Sequence, residues 1–159
     1  MACRVRESGS TLNGYKENAD LRHVLQVRDL CVAYGGRDGG VWRALEKVSF
    51  SVGAGEILGV LGESGSGKST LAAALLRLLP ANGRITSGEI LLEGSDVLRM
   101  DAVELRRIRG SGMSIVFQEP SLALHPTIRI GEQVAEVLRA HGASSKRERG
   151  DRAREVLAK

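Results

Sequence analysis

Nine residues, Gly62-Glu63-Ser64-Gly65-Ser66-Gly67-Lys68-Ser69-Thr70, restrict what this chain can fold into more than any other stretch. They fit G-x-x-x-x-G-K-[ST], the phosphate-binding P-loop. The apolar run 57–61 (Ile-Leu-Gly-Val-Leu) precedes them and reads as a buried strand. Residues 71–79 come next, rich in Leu and Ala and closed by Pro80, and read as a helix. Strand, glycine loop and helix is the arrangement this motif requires. At this chain's glycine content, the bare pattern arises by chance in on the order of one or two per cent of such sequences. The flanking elements reduce that further, so the stretch is expected to form a nucleoside triphosphate site.

The chemistry explains the residue types. Gly62, Gly65 and Gly67 permit backbone angles and close approaches that side chains forbid. Backbone N–H groups converge into an anion nest, and the new helix aims its positive end at the same place. Lys68 adds a point charge for the β- and γ-phosphates. The Ser69 hydroxyl can ligate Mg²⁺, and Thr70 can donate to a phosphate oxygen.

At 159 residues the chain is long enough for one domain with a real core, and aromatics at 3% leave that core to Leu, Val, Ile and Ala. No apolar run approaches the roughly 20 residues of a membrane span, and the N-terminus carries no apolar signal region. Cys3 and Cys31 match no metal spacing and read as reduced thiols of a cytosolic protein. The net charge is +4. In the tail 144–159, acids interleave with the bases and no aromatic is present for stacking. That favours a solvated helix face over nucleic-acid binding.

In chain order, residues 1–20 read as a disordered leader. Residues 23–34 read as a strand broken near Arg28-Asp29, then come a glycine turn at 35–40 and two strand pieces at 41–45 and 47–52. After the P-loop helix, a loop is expected at 81–87 and a strand at 88–93. Asp101 can cap a helix that Gly110-Ser111-Gly112 ends, and residues 113–117 (Met-Ser-Ile-Val-Phe) read as a buried strand. A loop bounded by Pro120 and Pro126 leads to a helix with Ile130, Val134, Val137 and Leu138 on one face. Ser145 and Glu148 fit a capping box opening a last helix. On these residues alone, Tyr34 is either a core aromatic at a strand end or a ring that stacks on a base.

With these features in place, the chain resembles the ATP-binding subunits of ABC transporters. Tyr34 sits where that family keeps its adenine-stacking aromatic, the P-loop comes after it, and Val116-Phe117-Gln118-Glu119-Pro120 is similar to the family's Q-loop. The finer pattern resembles the oligopeptide/dipeptide importer branch, through Gly83-Arg84-Ile85, Gly88-Glu89-Ile90, Leu105-Arg106-Arg107-Ile108-Arg109-Gly110 and Gly131-Glu132-Gln133. The branch often has Asp and Asn where this chain has Glu119 and His125. The resemblance implies an α/β P-loop NTPase of the ABC ATPase type with an N-terminal antiparallel β subdomain. It implies ATP and Mg²⁺ as ligands, with Lys68 and Gln118 catalytic and Ser69 and Gln118 on the metal. It further implies a second ATPase subunit, membrane permease subunits contacted near residues 119–126, and a place on the inner face of the cell membrane.

The family's Walker B strand, Leu-Ser-Gly-Gly-Gln signature and switch histidine are not found in the sequence. The nearest Walker B candidate, Ile90-Leu91-Leu92-Glu93, carries one acid and lies too close to the P-loop. The expectation is therefore the N-terminal part of such an ATPase over residues 21–159, with an exposed apolar edge and little turnover alone. The alternatives are a non-catalytic nucleotide-binding fragment and a P-loop ATPase outside transport.

Overall fold

The computed structural model describes residues 23–36, 38–119, 124–142 and 145–158. They form two compact units, divided after Asp101. The expected leader and the Pro120 end of the 118–126 loop lie outside the described residues.

The first unit is built on a sheet of β1 (His23–Gly35), β2 (Val41–Gly53), β3 (Gly83–Leu92) and the short β4 (Ser95–Asp96). All neighbours pair antiparallel, in the order β2-β1-β3-β4. The expected break at Arg28-Asp29 is a bulge inside one continuous strand, with Asp29 at φ 45°. The bulge has a use. Val27 and Leu30 are three residues apart, which would put them on opposite faces of a regular strand. With the extra residue both are buried, at 1% and 0% exposure. The two strand pieces expected at 41–52 likewise join into one strand, bulged near Lys47 at φ 48°. The strand expected from residue 88 starts earlier, at Gly83. Pairing with β1 overrides the polar composition there: Gly35 N donates to Asn82 O at 2.8 Å, and Thr86 Oγ1 donates to Cys31 O at 3.3 Å.

Gly88 shows how closely β3 approaches the β1 bulge. Its φ is +104°, and a Cβ there would lie 2.6–2.7 Å from backbone atoms of Arg28, Asp29 and Leu30. Only glycine fits both the angle and the space.

The helix α1 (Lys68–Leu75) buries Leu71 and Ala74. It stops short of the expected residue 79 because Arg77 turns left-handed, at φ 52°. Leu78 N then donates to Ala73 O and Arg77 N to Ala74 O, which satisfies the last carbonyls in a Schellman closure. Arg77 Nη1 also donates to Met100 O at 2.7 Å, tying the helix end to the segment after β4.

The second unit holds α2 (Ala102–Ser111), α3 (Ile130–His141) and α4 (Lys146–Leu157). α2 departs from helical angles at Arg109 and Gly110, as the glycines there suggest. Ser145 Oγ accepts from Glu148 N at 3.2 Å, the first half of the expected capping box. The α3 face is only partly covered: Val134 and Leu138 are half-buried, while Ile130 and Val137 are exposed.

The largest fully buried side chains, Leu30, Leu45, Ile90, Val27, Val32, Val48 and Val97, all belong to the first unit. Each such burial contributes about 1.5–3 kcal/mol, so most of the apolar stabilisation sits around the sheet.

Two expected buried strands are corrected. Residues 57–61 and 113–117 form no ladder: among the described residues nothing pairs with 57–61, and of 113–117 only Met113 makes an isolated bridge, to Arg109. An apolar sequence cannot make a strand without a neighbour for its N–H and C=O groups. Ile57, Leu61 and Val116 accordingly stand 96%, 90% and 87% exposed.

Candidate functional site

The loop 62–70 is anchored on β2. Gly67 is the N-cap of α1 at φ 98°, and it is buried. A Cβ at Gly67 would lie 2.7 Å from Ala44 O and 2.9 Å from Leu45 Cδ2. This glycine therefore combines a left-handed backbone with a close approach of the loop to the sheet. Leu71 N donates to Gly67 O at 2.8 Å, closing the first turn.

The entrance to α1 suits an anion. No side chain caps the helix and no acidic residue occupies its first turn. The positive end of the helix is thus neither satisfied nor neutralised by the chain itself. Lys68 Nζ turns back into the loop, donating to Gly62 O and Glu63 O at 2.7 Å each and reaching Ser66 Oγ at 3.3 Å. Its charge is held at the loop's centre by neutral carbonyl acceptors. Phosphate oxygens are charged acceptors and make the stronger bond. A Cβ at Gly62 would meet Ser66 Oγ at 2.6 Å and Ser66 Cβ at 3.2 Å, so the Ser66 side chain would have to turn away. Gly65 takes φ 79° in the turn that Ser66 N makes to Glu63 O. Glu63, Ser64 and Ser69 are exposed, and Thr70 is half-buried. The groups here suited to a phosphate and a metal ion are the Lys68 ammonium at the helix start and the exposed Ser69 hydroxyl next to it in sequence.

Tyr34 joins the site. Its hydroxyl lies 3.2 Å from Thr70 Oγ1. Its ring stacks on Trp42, with centroids 5.8 Å apart and planes 23° apart. Register places Trp42, Tyr34 and Gly83 side by side across β2, β1 and β3. Nothing in the residues beside Trp42 in sequence marks it as part of the site. The signal that could have found it lies in the turn: Gly36 N bonds Gly40 O, and a hairpin centred on Asp38 brings residue 34 opposite residue 42.

Residues 45–159 match the ABC transporter family. The chain belongs to the ABC transporter family. Among its ABC relatives, the oligopeptide transport ATP-binding protein OppD of Escherichia coli K12 is 46% identical over 125 residues, covering 79% of this chain and 36% of OppD. The probable D,D-dipeptide transport ATP-binding protein DdpD of the same strain is 43% identical over 135 residues, covering 84% of this chain and 41% of DdpD. The chain thus spans about two fifths of the length of the curated relatives it matches. Among solved structures, the ATP-binding cassette MJ0796, a dimer in a post-hydrolysis state bound to ADP and Pi, superposes with a TM-score of 0.67 at 28% identity. That match covers 84% of this chain and 56% of the cassette. The fold is accordingly a P-loop ABC core carrying an antiparallel sheet on its N-terminal side. The family match begins after Tyr34 and Trp42, so their link to the site rests on their own geometry.

Gln118 is the residue that the Q-loop resemblance expects in the site. It is exposed and belongs to the second unit, whereas the loop 62–70 belongs to the first. In the same unit, Gln133 braces the segment before α3: Oε1 accepts from His125 N at 2.8 Å, and Nε2 donates to His125 O and Ile128 O at 3.0 and 2.8 Å. Among the described residues, no helix is long and apolar enough to cross a membrane.

Proposed function

We propose that residues 21–159 are the N-terminal portion of an ABC-type ATPase subunit, binding Mg·ATP at residues 62–70. In the longer protein, hydrolysis to ADP and phosphate drives import of a solute, peptide-like in class. The observation that carries the reading is the Lys68 ammonium at the centre of a formed glycine loop, over an uncapped helix start. The peptide class is supported by the names of the relatives, oligopeptide and D,D-dipeptide transport ATP-binding proteins.

In this reading the amides of the loop and Lys68 hold the phosphates, and Tyr34 stacks on the adenine. Ser69 and the Gln118 amide oxygen would hold the magnesium ion, which supplies Lewis-acid polarisation of the phosphate oxygens. Gln118 also orients the attacking water. The subunit works in a pair, as the dimeric cassette supports. Residues 119–126 contact permease subunits, which hold the protein at the inner face of the membrane. Turnover belongs to the longer protein, since the chain covers 36% of OppD.

The test is phosphate release from this chain beside a version extended to the length of its relatives. Release from the longer version alone, abolished by Gln118→Ala, is the expected result. Equal release from the 159-residue chain overturns the assignment of turnover. Normal release from the longer Gln118→Ala variant overturns the role of Gln118.

A further inference from the structure

Tyr34 offers a ring and a hydroxyl, and stacking uses only the ring. The hydroxyl lies 3.2 Å from Thr70 Oγ1, and the pair is part-buried. Thr70 stands in the first turn of α1, two residues after Lys68. Among the described residues, the Tyr34 hydroxyl is the one hydrogen-bond partner of the Thr70 side chain.

Both ends of this contact are fixed. The Tyr34 ring stacks on Trp42 of β2 and leans over Gly83 of β3, where a Cβ would lie 2.6 Å from Cε1. Asn82 holds the backbone beside it: its carbonyl accepts from Gly35 N at 2.8 Å, and its Nδ2 donates to Gly35 O at 3.3 Å. Thr70 is held by the helix, one residue before the buried Leu71.

The direction of the bond decides what Thr70 can do. Either hydroxyl can donate. A threonine hydroxyl has one hydrogen and two lone pairs. If Thr70 donates to Tyr34, no hydrogen remains for a phosphate oxygen. If Tyr34 donates to Thr70, the Thr70 hydrogen is left for an acceptor at the helix start. In a chain of hydroxyls each bond strengthens the next. An anion at residues 62–70 therefore favours the second direction, from Tyr34 O–H to Thr70 O–H to phosphate oxygen.

We propose that Tyr34 is a positioning residue for phosphate: its hydroxyl donates to Thr70 Oγ1 and turns the Thr70 hydrogen toward the phosphate chain held by residues 62–70. The role is separate from any stacking by the ring and needs no base. A ring without the hydroxyl would stack equally well but would leave Thr70 unoriented. The proposal rests on the reading of residues 62–70 as a P-loop.

The test uses magnesium tripolyphosphate, which carries the phosphates without a base. Its affinity for the 159-residue chain is measured by calorimetry in wild type, Tyr34→Phe, Thr70→Val, Thr70→Ser and the double variant of Tyr34→Phe with Thr70→Val. Circular dichroism shows which of them are folded. Tyr34→Phe should bind about threefold to tenfold more weakly, the size of one net hydrogen bond. Thr70→Val should lose at least as much, and the double variant should be no weaker than Thr70→Val alone. Thr70→Ser should restore most of what Thr70→Val loses. A merely structural pin predicts a less stable Tyr34→Phe whose folded form binds tripolyphosphate as wild type does. That result, or losses that multiply in the double variant, overturns the role of the Tyr34 hydroxyl and leaves the P-loop reading standing. If Tyr34→Phe does not fold, the Thr70 variants decide: Thr70→Val with wild-type affinity, or Thr70→Ser as weak as Thr70→Val, overturns the proposal. Failure of the wild-type protein to bind tripolyphosphate also overturns the proposal, and failure to bind Mg·ATP as well overturns both readings.

Discussion

The Tyr34 hydroxyl lies 3.2 Å from the Thr70 hydroxyl, so the end of β1 is pinned to the first turn of α1 across 36 residues of sequence. This contact joins a residue of the sheet to a residue of the phosphate loop. It fixes the aromatic pair relative to the helix start.

Removing only that hydroxyl isolates the contact. Tyr34→Phe keeps the ring on Trp42 and should cost about 1 kcal/mol, the usual net value of a part-buried hydrogen bond. Urea unfolding of Tyr34→Phe, Thr70→Val and the double variant forms a cycle. The expected coupling is about 0.5–1.5 kcal/mol, and no coupling would mean that the two hydroxyls do not interact.

Two glycines with similar backbone angles should respond very differently to alanine. Gly94 has φ +83° and open space around a Cβ, so Gly94→Ala should cost only the left-handed penalty, about 1–2 kcal/mol. Gly88 has φ +104° and backbone atoms of three residues within 2.7 Å of that Cβ. Gly88→Ala adds a clash that no side-chain rotation relieves, so its loss should exceed that of Gly94→Ala by at least about 2 kcal/mol. Comparable denaturation midpoints for the two variants would contradict the close approach of β3 to β1.

Gln133 makes three hydrogen bonds to the backbone of His125 and Ile128. Gln133→Ala should therefore speed amide exchange at His125 about tenfold or more, with little change in the sheet. Gln133→Glu retains an acceptor for His125 N but faces two carbonyls with a carboxylate, and should also exchange faster than wild type. Wild-type protection in both variants would show that the brace is not needed.

Ser145 caps α4 through Glu148 N. Ser145→Ala should destabilise that helix by about 1 kcal/mol, read as faster exchange at Glu148, whereas Ser145→Asp should preserve it.

Much of this molecule is legible in the sequence because the signals are local. The P-loop letters, the helix formers behind them and the capping pair Ser145 and Glu148 each act within a few residues. The strands of the sheet are legible too, but their bulges look like breaks or gaps. A left-handed Asp29 or Lys47 leaves no trace in an alternation pattern, although it is what keeps the core face continuous. Residues 84–87 (Arg-Ile-Thr-Ser), mostly polar, resemble a loop in composition, and their pairing with β1 is a contact between distant segments that the local sequence does not show. The runs 57–61 and 113–117 mislead for the opposite reason. Apolar, β-branched residues say that a segment can be a strand, but a partner must be present for it to become one. Trp42 escapes a reading along the chain because its importance lies in register with Tyr34, not in its own neighbours in sequence.

In the proposed nucleotide site the Lys68 ammonium sits among Gly62 O, Glu63 O and Ser66 Oγ at the helix start. The most direct test is calorimetric titration of Mg·ATP into the 159-residue chain and its Lys68→Ala variant, with circular dichroism to show that both are folded. Charge-assisted bonds of this kind contribute about 1.5–3 kcal/mol, so the variant should bind at least about tenfold more weakly. Equal affinity in the two folded proteins would contradict the assignment of residues 62–70 as the nucleotide site.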